Sequence, residues 1–267
     1  MNTQPGRQAI SKQQICFPNG NCAQAVFLPV GANPIDLLSI LNIPSPNAVI
    51  MIAGGASLMD EQLYPNLRSQ FTDGIAHLAA SLGALIIDGG TQAGVMEMMG
   101  TGVAQQQHRA TLLGVSPAGC VTYPGRPSTS VSKDNAPLDP NHSHFVLVET
   151  DEWGGETEVM YELAQVFSQG HPSVAILING GSITKKEVLY NVRQKRPIII
   201  IEGSGRTADE IAQLWQEKPP SISDPELAEI IQYGEIHLFP LTGSATELVQ
   251  LTQHLLSKQD SVSKNSL

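Results

Sequence analysis

Four times along this chain an apolar run stops at glycine and a helix-forming stretch begins. Ala48 to Ala53 (AVIMIA) ends in Gly54-Gly55, and Ala84 to Ile87 ends in Asp88-Gly89-Gly90. Val174 to Ile178 ends in Asn179-Gly180-Gly181, and Pro197 to Ile201 (PIIII) ends in Glu202-Gly203-Ser204-Gly205. A continuous apolar run suits a strand buried on both faces, as in a parallel sheet. The glycine supplies the tight turn from strand to helix. Repetition of that unit predicts an α/β fold of the Rossmann-like kind, three layers deep (α/β/α), around a mostly parallel sheet.

Other segments fit the same alternation. Ala25–Val30, Thr111–Val115, His144–Val148 and Ile236–Phe239 read as further strands. Helices are expected over 35–41, 59–82, 92–107, 155–168, 184–193, 206–216, 225–231 and 245–256. In the helix over 59–82, Leu63, Leu67, Phe71, Ile75, Leu78 and Leu82 recur at steps of three or four and make one apolar stripe, and Gly83 supplies the stop. Asp224 stands where an N-cap belongs. Residues 1–22 read as an N-terminal arm, 23–256 as a single domain without an internal linker, and 257–267 as a polar, frayed tail. Ser116 to Asn141, rich in Pro, Gly and Ser, reads as one long loop, a length that is often functional.

Composition narrows the function classes. The formal net charge of −10 disfavours nucleic acid as a partner, because such a surface repels polyphosphate at long range. It leaves room for a small anion held locally by backbone amides and one arginine. No run approaches the ~20 apolar residues of a membrane span, and the polar start lacks a signal-peptide core, so a cytoplasmic protein without a membrane partner is expected. Cys16, Cys22 and Cys120 show neither CxxC nor metal-type spacing and read as three reduced thiols.

In open α/β sheets, ligands sit beyond the carboxyl ends of the strands. Turns without side chains let amide N–H groups approach a phosphate, and helix N-termini add partial positive charge. Gly54, Gly55, Gly89, Gly90, Gly180, Gly181, Gly203 and Gly205 therefore define a candidate crevice for a phosphorylated nucleotide or nucleotide-derived ligand. Gly203-Ser204-Gly205-Arg206-Thr207 is its sharpest element, since Arg206 offers a fork that grips phosphate bidentately. The alternative is that Arg206 opens its helix and pairs with Asp209 or Glu210 in solvent. Asp88 and Glu202 end strands and suit either ribose hydroxyls or the capping of their own glycine turns. His142 and His144 lack the further ligands that a metal needs, so no metal is expected; His142 is read as structuring its loop near the ligand. The Met96, Met98 and Met99 cluster reads as core packing, and no P-loop, GxSxG or HExxH motif is present.

Several of these stretches resemble a known superfamily. Asp88 to Met96 (DGGTQAGVM) looks like the first signature of the LOG-type phosphoribohydrolases. Asn179 to Glu187 (NGGSITKKE) has the spacing of their second, PGGxGTxxE, with Asn for Pro and Ile183 for the third Gly. Leu138 to Phe145 (LDPNHSHF) and Glu202 to Asp209 (EGSGRTAD) resemble the N-terminal cytosolic region of melastatin-type TRP channels, which with LOG belongs to the SLOG superfamily. The similarity is closest to the prokaryotic branch of that channel-domain (LSDAT) family and spans roughly Ala48 to Leu214. It implies binding, and sensing, of a nucleotide or a metabolite such as ADP-ribose, with no required cofactor and a homodimeric assembly. Carried over, Gly89, Gly90, Thr91, Gln92 and Gly94 line one loop, while Gly180, Gly181, Ser182 and Thr184 cradle phosphate. Gly203, Ser204, Gly205 and Arg206 match the channel-domain loop. Gly155 lies at the crevice in the stretch Trp153 to Glu162 (WGGETEVMYE). The alternative that the resemblance carries is hydrolysis of the N-glycosidic bond of a nucleoside 5′-monophosphate, with Glu187 matching the hydrolase glutamate. Against it, Trp153 to Glu162 lacks the arginine those hydrolases use.

Overall fold

The computed structural model describes residues 10–55, 64–126 and 135–264. The four glycine-terminated runs are strands β3 (Val49–Gly54), β4 (Leu85–Asp88), β9 (Ser173–Ile178) and β10 (Ile198–Glu202). They join β1 (Ser11–Cys16), β2 (Cys22–Leu28), β5 (Thr111–Pro117), β8 (His144–Val148) and β11 (Ile236–Pro240) in a nine-stranded sheet of order β1-β2-β8-β5-β4-β3-β9-β10-β11. Every pairing is parallel except β1 with β2.

Period-two alternation along these strands splits the core into two layers. Val49, Met51, Leu85, Ile87, Ala175, Leu177, Ile198 and Ile200 meet helices α1 (Leu37–Leu41), α5 (Thr157–Phe167), α6 (Ser182–Arg193), α7 (Arg206–Glu217) and α8 (Pro225–Tyr233). Ile50, Ile52, Ile86, Val174, Ile176, Ile199 and Ile201 meet α2 (Tyr64–Arg68), α3 (Ala76–Leu82), α4 (Gly94–Gln105) and α9 (Ala245–Lys264). The three-layer α/β architecture is thus as expected. Helices α2 and α3 are joined by a π-helical stretch, Ser69–Ile75, so the helix expected over 59–82 is present from Tyr64 on; its first five residues lie outside the described ones.

Three segments depart from expectation. The N-terminal arm contains β1, a polar edge strand whose burial pattern shows little of the alternation that marks a strand in sequence. Its antiparallel register places Cys16 opposite Cys22, and the two form a disulfide rather than free thiols; Cys120 alone of the three is free. The polar tail continues as α9 to Lys264. Gln259 holds it to the sheet by accepting from the Ser173 amide (3.0 Å) and donating to the Ser173 carbonyl (2.7 Å), and Lys258 pairs with Glu235 at 3.0 Å. The long loop is partly ordered: β6 (Val121–Thr122) pairs with β7 (Ala136–Pro137), and Thr91 bridges Leu138. Its residues 127–134 lie outside the described ones. Among the described residues no helix is long and apolar enough to cross a membrane.

Candidate functional site

The sheet changes direction between β3 and β9. From β3 the chain moves outward through β4 and β5, and after β8 it returns to the other side of β3 to lay down β9, β10 and β11. Such a switch point opens a crevice at the carboxyl ends of the two strands. A cavity of about 510 Å³ opens there, lined by Gly54 and Gly55 after β3, Gly89 and Thr91 after β4, Gly181, Ser182, Thr184 and Glu187 after β9, and Arg206 after β10. Gly54 is required by closeness, since a Cβ on it would stand 2.2 Å from the Ile178 carbonyl oxygen of β9.

Four helices begin at this cavity, with two of their first-turn amides already taken by backbone carbonyls, Thr157 by Gly154 (3.3 Å) and Ala208 by Asn179 (3.0 Å). None of α4, α5, α6 and α7 has a side-chain cap hydrogen bond at its N-terminus. Three other helix starts are closed by side chains. Asn33 accepts from the Ile35 amide, Asp224 accepts from the amides of Glu226 and Leu227, and Ser244 and Glu247 cap each other ahead of α9. Uncapped first-turn amides facing a cavity need a partner, and an anion supplies one.

Arg206 opens α7 and is exposed, as its solvent alternative has it, but it does not pair with Asp209 or Glu210. It forms no ion pair among the described residues, and Asp209 instead accepts from the Gly203 amide at 2.7 Å. Its guanidinium lies against Gly181, where a Cβ would meet Nη2 at 2.8 Å. As the first residue of α7, after Gly205, Arg206 stands at φ 52°, a left-handed conformation unfavourable for arginine by about 1–2 kcal/mol. Backbone strain of this kind concentrates at functional sites. Asn179 also has positive φ (53°), which explains the departure from the PGG motif: proline, fixed near −65°, cannot occupy this turn.

Other expected residues support the cavity without lining it. Ser204, buried, donates to the Ile201 carbonyl (2.6 Å) and accepts from the Asn179 amide (2.8 Å), tying two glycine turns together. Gly90 packs on Gly114, and Gly155 on Thr150. Gly94 opens α4 at φ 55°, and Gly180 lies against Thr184. The Gln92 amide donates to Pro137, pinning the long loop. Gly203 and Gly205 shape the turn that presents Arg206. Glu202 accepts from Gln216 at 2.7 Å.

The position of His142 is a correction. Rather than nearing the ligand, it is fully buried between two carboxylates, with Nε2 2.9 Å from Asp88 and Nδ1 3.0 Å from Asp139. Asp88 also accepts from the Gly90 amide (2.7 Å), so it caps its own turn instead of facing a ribose. Burial pushes the imidazole down, but Asp88 and Asp139 outweigh it and hold the ring up to about 9. The resulting cation clamps the end of the long loop beneath the Gly89-Gly90 turn.

Sequence reasoning missed Glu156. It sits just before α5, buried, and lines the cavity together with Glu187. Burial raises Glu156 to about 7; burial, and then the charge of Glu156, raise Glu187 to about 8. Trp153, Met96 and Ile183 complete the wall, and Ile183 reaches toward Gly154 across space that the motif's glycine would leave open.

The family model described as "SLOG in TRPM, prokaryote" matches residues 47–250. The chain is 27% identical over 274 residues to a transient receptor potential cation channel subfamily M member-like 2 of Nematostella vectensis, covering 86% of this chain and 18% of that protein. It is 29% identical over 202 residues to subfamily M member 2 of Mus musculus (63% and 13%), and 28% identical over 228 residues to a transient receptor potential channel of Caenorhabditis elegans (73% and 11%). It therefore spans less than a fifth of the length of each of these channels.

Proposed function

Since the chain belongs to the family of prokaryotic SLOG domains of the TRPM type, we propose that it binds, and thereby senses, a nucleotide or nucleotide-derived metabolite such as ADP-ribose in the β3/β9 crevice. The observation that carries this reading is the convergence of four uncapped helix N-termini and the unpaired Arg206 on one cavity. A phosphate or diphosphate gives those amides their acceptor and the guanidinium its counter-charge. About 510 Å³ suits a nucleotide-sized ligand.

Calorimetry against ADP-ribose, NAD, AMP and cyclic nucleotides tests the reading: at least one binds, and absence of binding to all of them at millimolar concentration removes it. Arg206→Gly gives a sharper prediction. Glycine tolerates φ 52°, so thermal stability is unchanged or raised by up to about 1 kcal/mol. Loss of the charged hydrogen bonds weakens the phosphate ligand by about 10–100-fold. Affinity falling while the melting temperature holds identifies Arg206 as a ligand group; unchanged affinity excludes it.

The carboxylate pair supports a second reading, cleavage of a nucleoside 5′-monophosphate to free base and ribose 5-phosphate. Departure of the base leaves positive charge at the anomeric carbon, which a carboxylate stabilises. Incubation with AMP and cytokinin-type monophosphates decides it: free base must appear, and Glu187→Ala must abolish its release.

A further inference from the structure

Glu156 and Glu187 pose a problem that the proposed ligand can solve. Glu156 is 7% exposed and Glu187 9%, both line the same cavity, and among the described residues neither forms an ion pair. Their contacts are polar but neutral: the Gly154 amide donates to Glu156 at 2.8 Å, and the Thr184 hydroxyl bonds Glu187. The titratable groups that feel the charge of the pair add no positive charge. Cys120 feels the charge of Glu156, together with Asp151 and Glu152, and Tyr161 feels that of Glu187. The neighbouring cations are engaged elsewhere, Arg126 with the Gly119 carbonyl and Arg196 with Ser173 and Asn191. Arg206 lines the same cavity but lies against Gly181, and neither glutamate feels its charge.

The cavity therefore has two unlike parts: a rim of amide hydrogens and a guanidinium, and a wall of two carboxylates without a cation. Buried carboxylates are costly unless paired. Building on the nucleotide reading above, we infer that the crevice selects a ligand that carries a positive charge as well as its phosphate, of the pyridinium-nucleotide kind, with Glu156 and Glu187 as the counter-charge. Without such a ligand the pair is stabilised by holding protons, consistent with the raised values of both groups. Arrival of a cation favours the charged carboxylates, so binding near neutral pH releases protons.

NAD⁺ and NADH provide the test, because they share their phosphates and differ in the charge of one ring. Titration calorimetry of the full chain at pH 7.5, run in two buffers of different ionisation enthalpy, reads both affinity and proton exchange. The expected result is NAD⁺ tighter than NADH by roughly tenfold or more, with proton release on binding NAD⁺. E156Q/E187Q should bring the two affinities together and abolish the release. The unmodified protein alone decides the matter if that variant does not fold. Equal affinities, or tighter NADH without proton release, overturn the inference and leave the nucleotide site standing. Binding of neither dinucleotide, nor of ADP-ribose, AMP or cyclic nucleotides, overturns both.

Discussion

Replacing His142 by alanine is expected to destabilise the fold by about 3–5 kcal/mol, as removal of one partner from a buried charge cluster does. The ring is fully buried between Asp88 and Asp139, and each aspartate already has one oxygen without a hydrogen-bond partner. Alanine leaves two carboxylates facing each other with no cation. Glutamine, which keeps a donor, should lose less. The effect depends on pH in a defined direction. The folded-state value of His142 is raised to about 9 from an ordinary 6.5, so its stabilisation is complete below pH 6.5 and fades as pH rises through 9. Urea denaturation at pH 6 and pH 9.5 checks this: the stability gap between the natural protein and His142→Ala should shrink at the higher pH. A gap of under 1 kcal/mol at pH 6 contradicts the clamp.

Gly54→Ala is the second large effect. The added methyl meets the Ile178 carbonyl oxygen at 2.2 Å, and that atom belongs to the backbone of a central strand. No side-chain rotation relieves the contact, so β3 and β9 must separate. Overpacking of this rigidity costs about 3 kcal/mol or more. Because the two strands form the switch point, ligand affinity should fall as well, even in conditions where the variant is fully folded. Gly31→Ala is the control: at φ 79° it carries the usual strain of a left-handed turn, but a Cβ there meets nothing within 4 Å and it lies outside the β3/β9 cavity. It should leave affinity untouched.

The glycine turns were legible in the sequence because their chemistry is that of the backbone, and spacing alone locates them. Gly54, Gly89, Gly181 and Arg206 reach one cavity as parallel-sheet logic requires. What escaped depends on pairing across distance. His142 finds Asp88 from 54 positions away, and nothing near either residue in sequence announces that contact. Glu156 stands in a stretch whose motif comparison draws attention to a missing arginine, and only the fold shows that its carboxylate shares a wall with Glu187. The Cys16–Cys22 link follows from an antiparallel register that the polar residues of β1 do not advertise. Likewise α9 outruns its apolar pattern because Gln259 and Lys258 hold its polar end to Ser173 and Glu235.

Backbone amide shifts followed by NMR during titration with ADP-ribose test the central claim most directly. The account predicts saturable movement of the amides of Gly89, Thr91, Gly181, Ser182, Thr184 and Arg206, with the groove between Gly31–Ile35 and α5 unmoved. Saturable movement confined to that groove or to another surface, with the glycine turns silent, would contradict it.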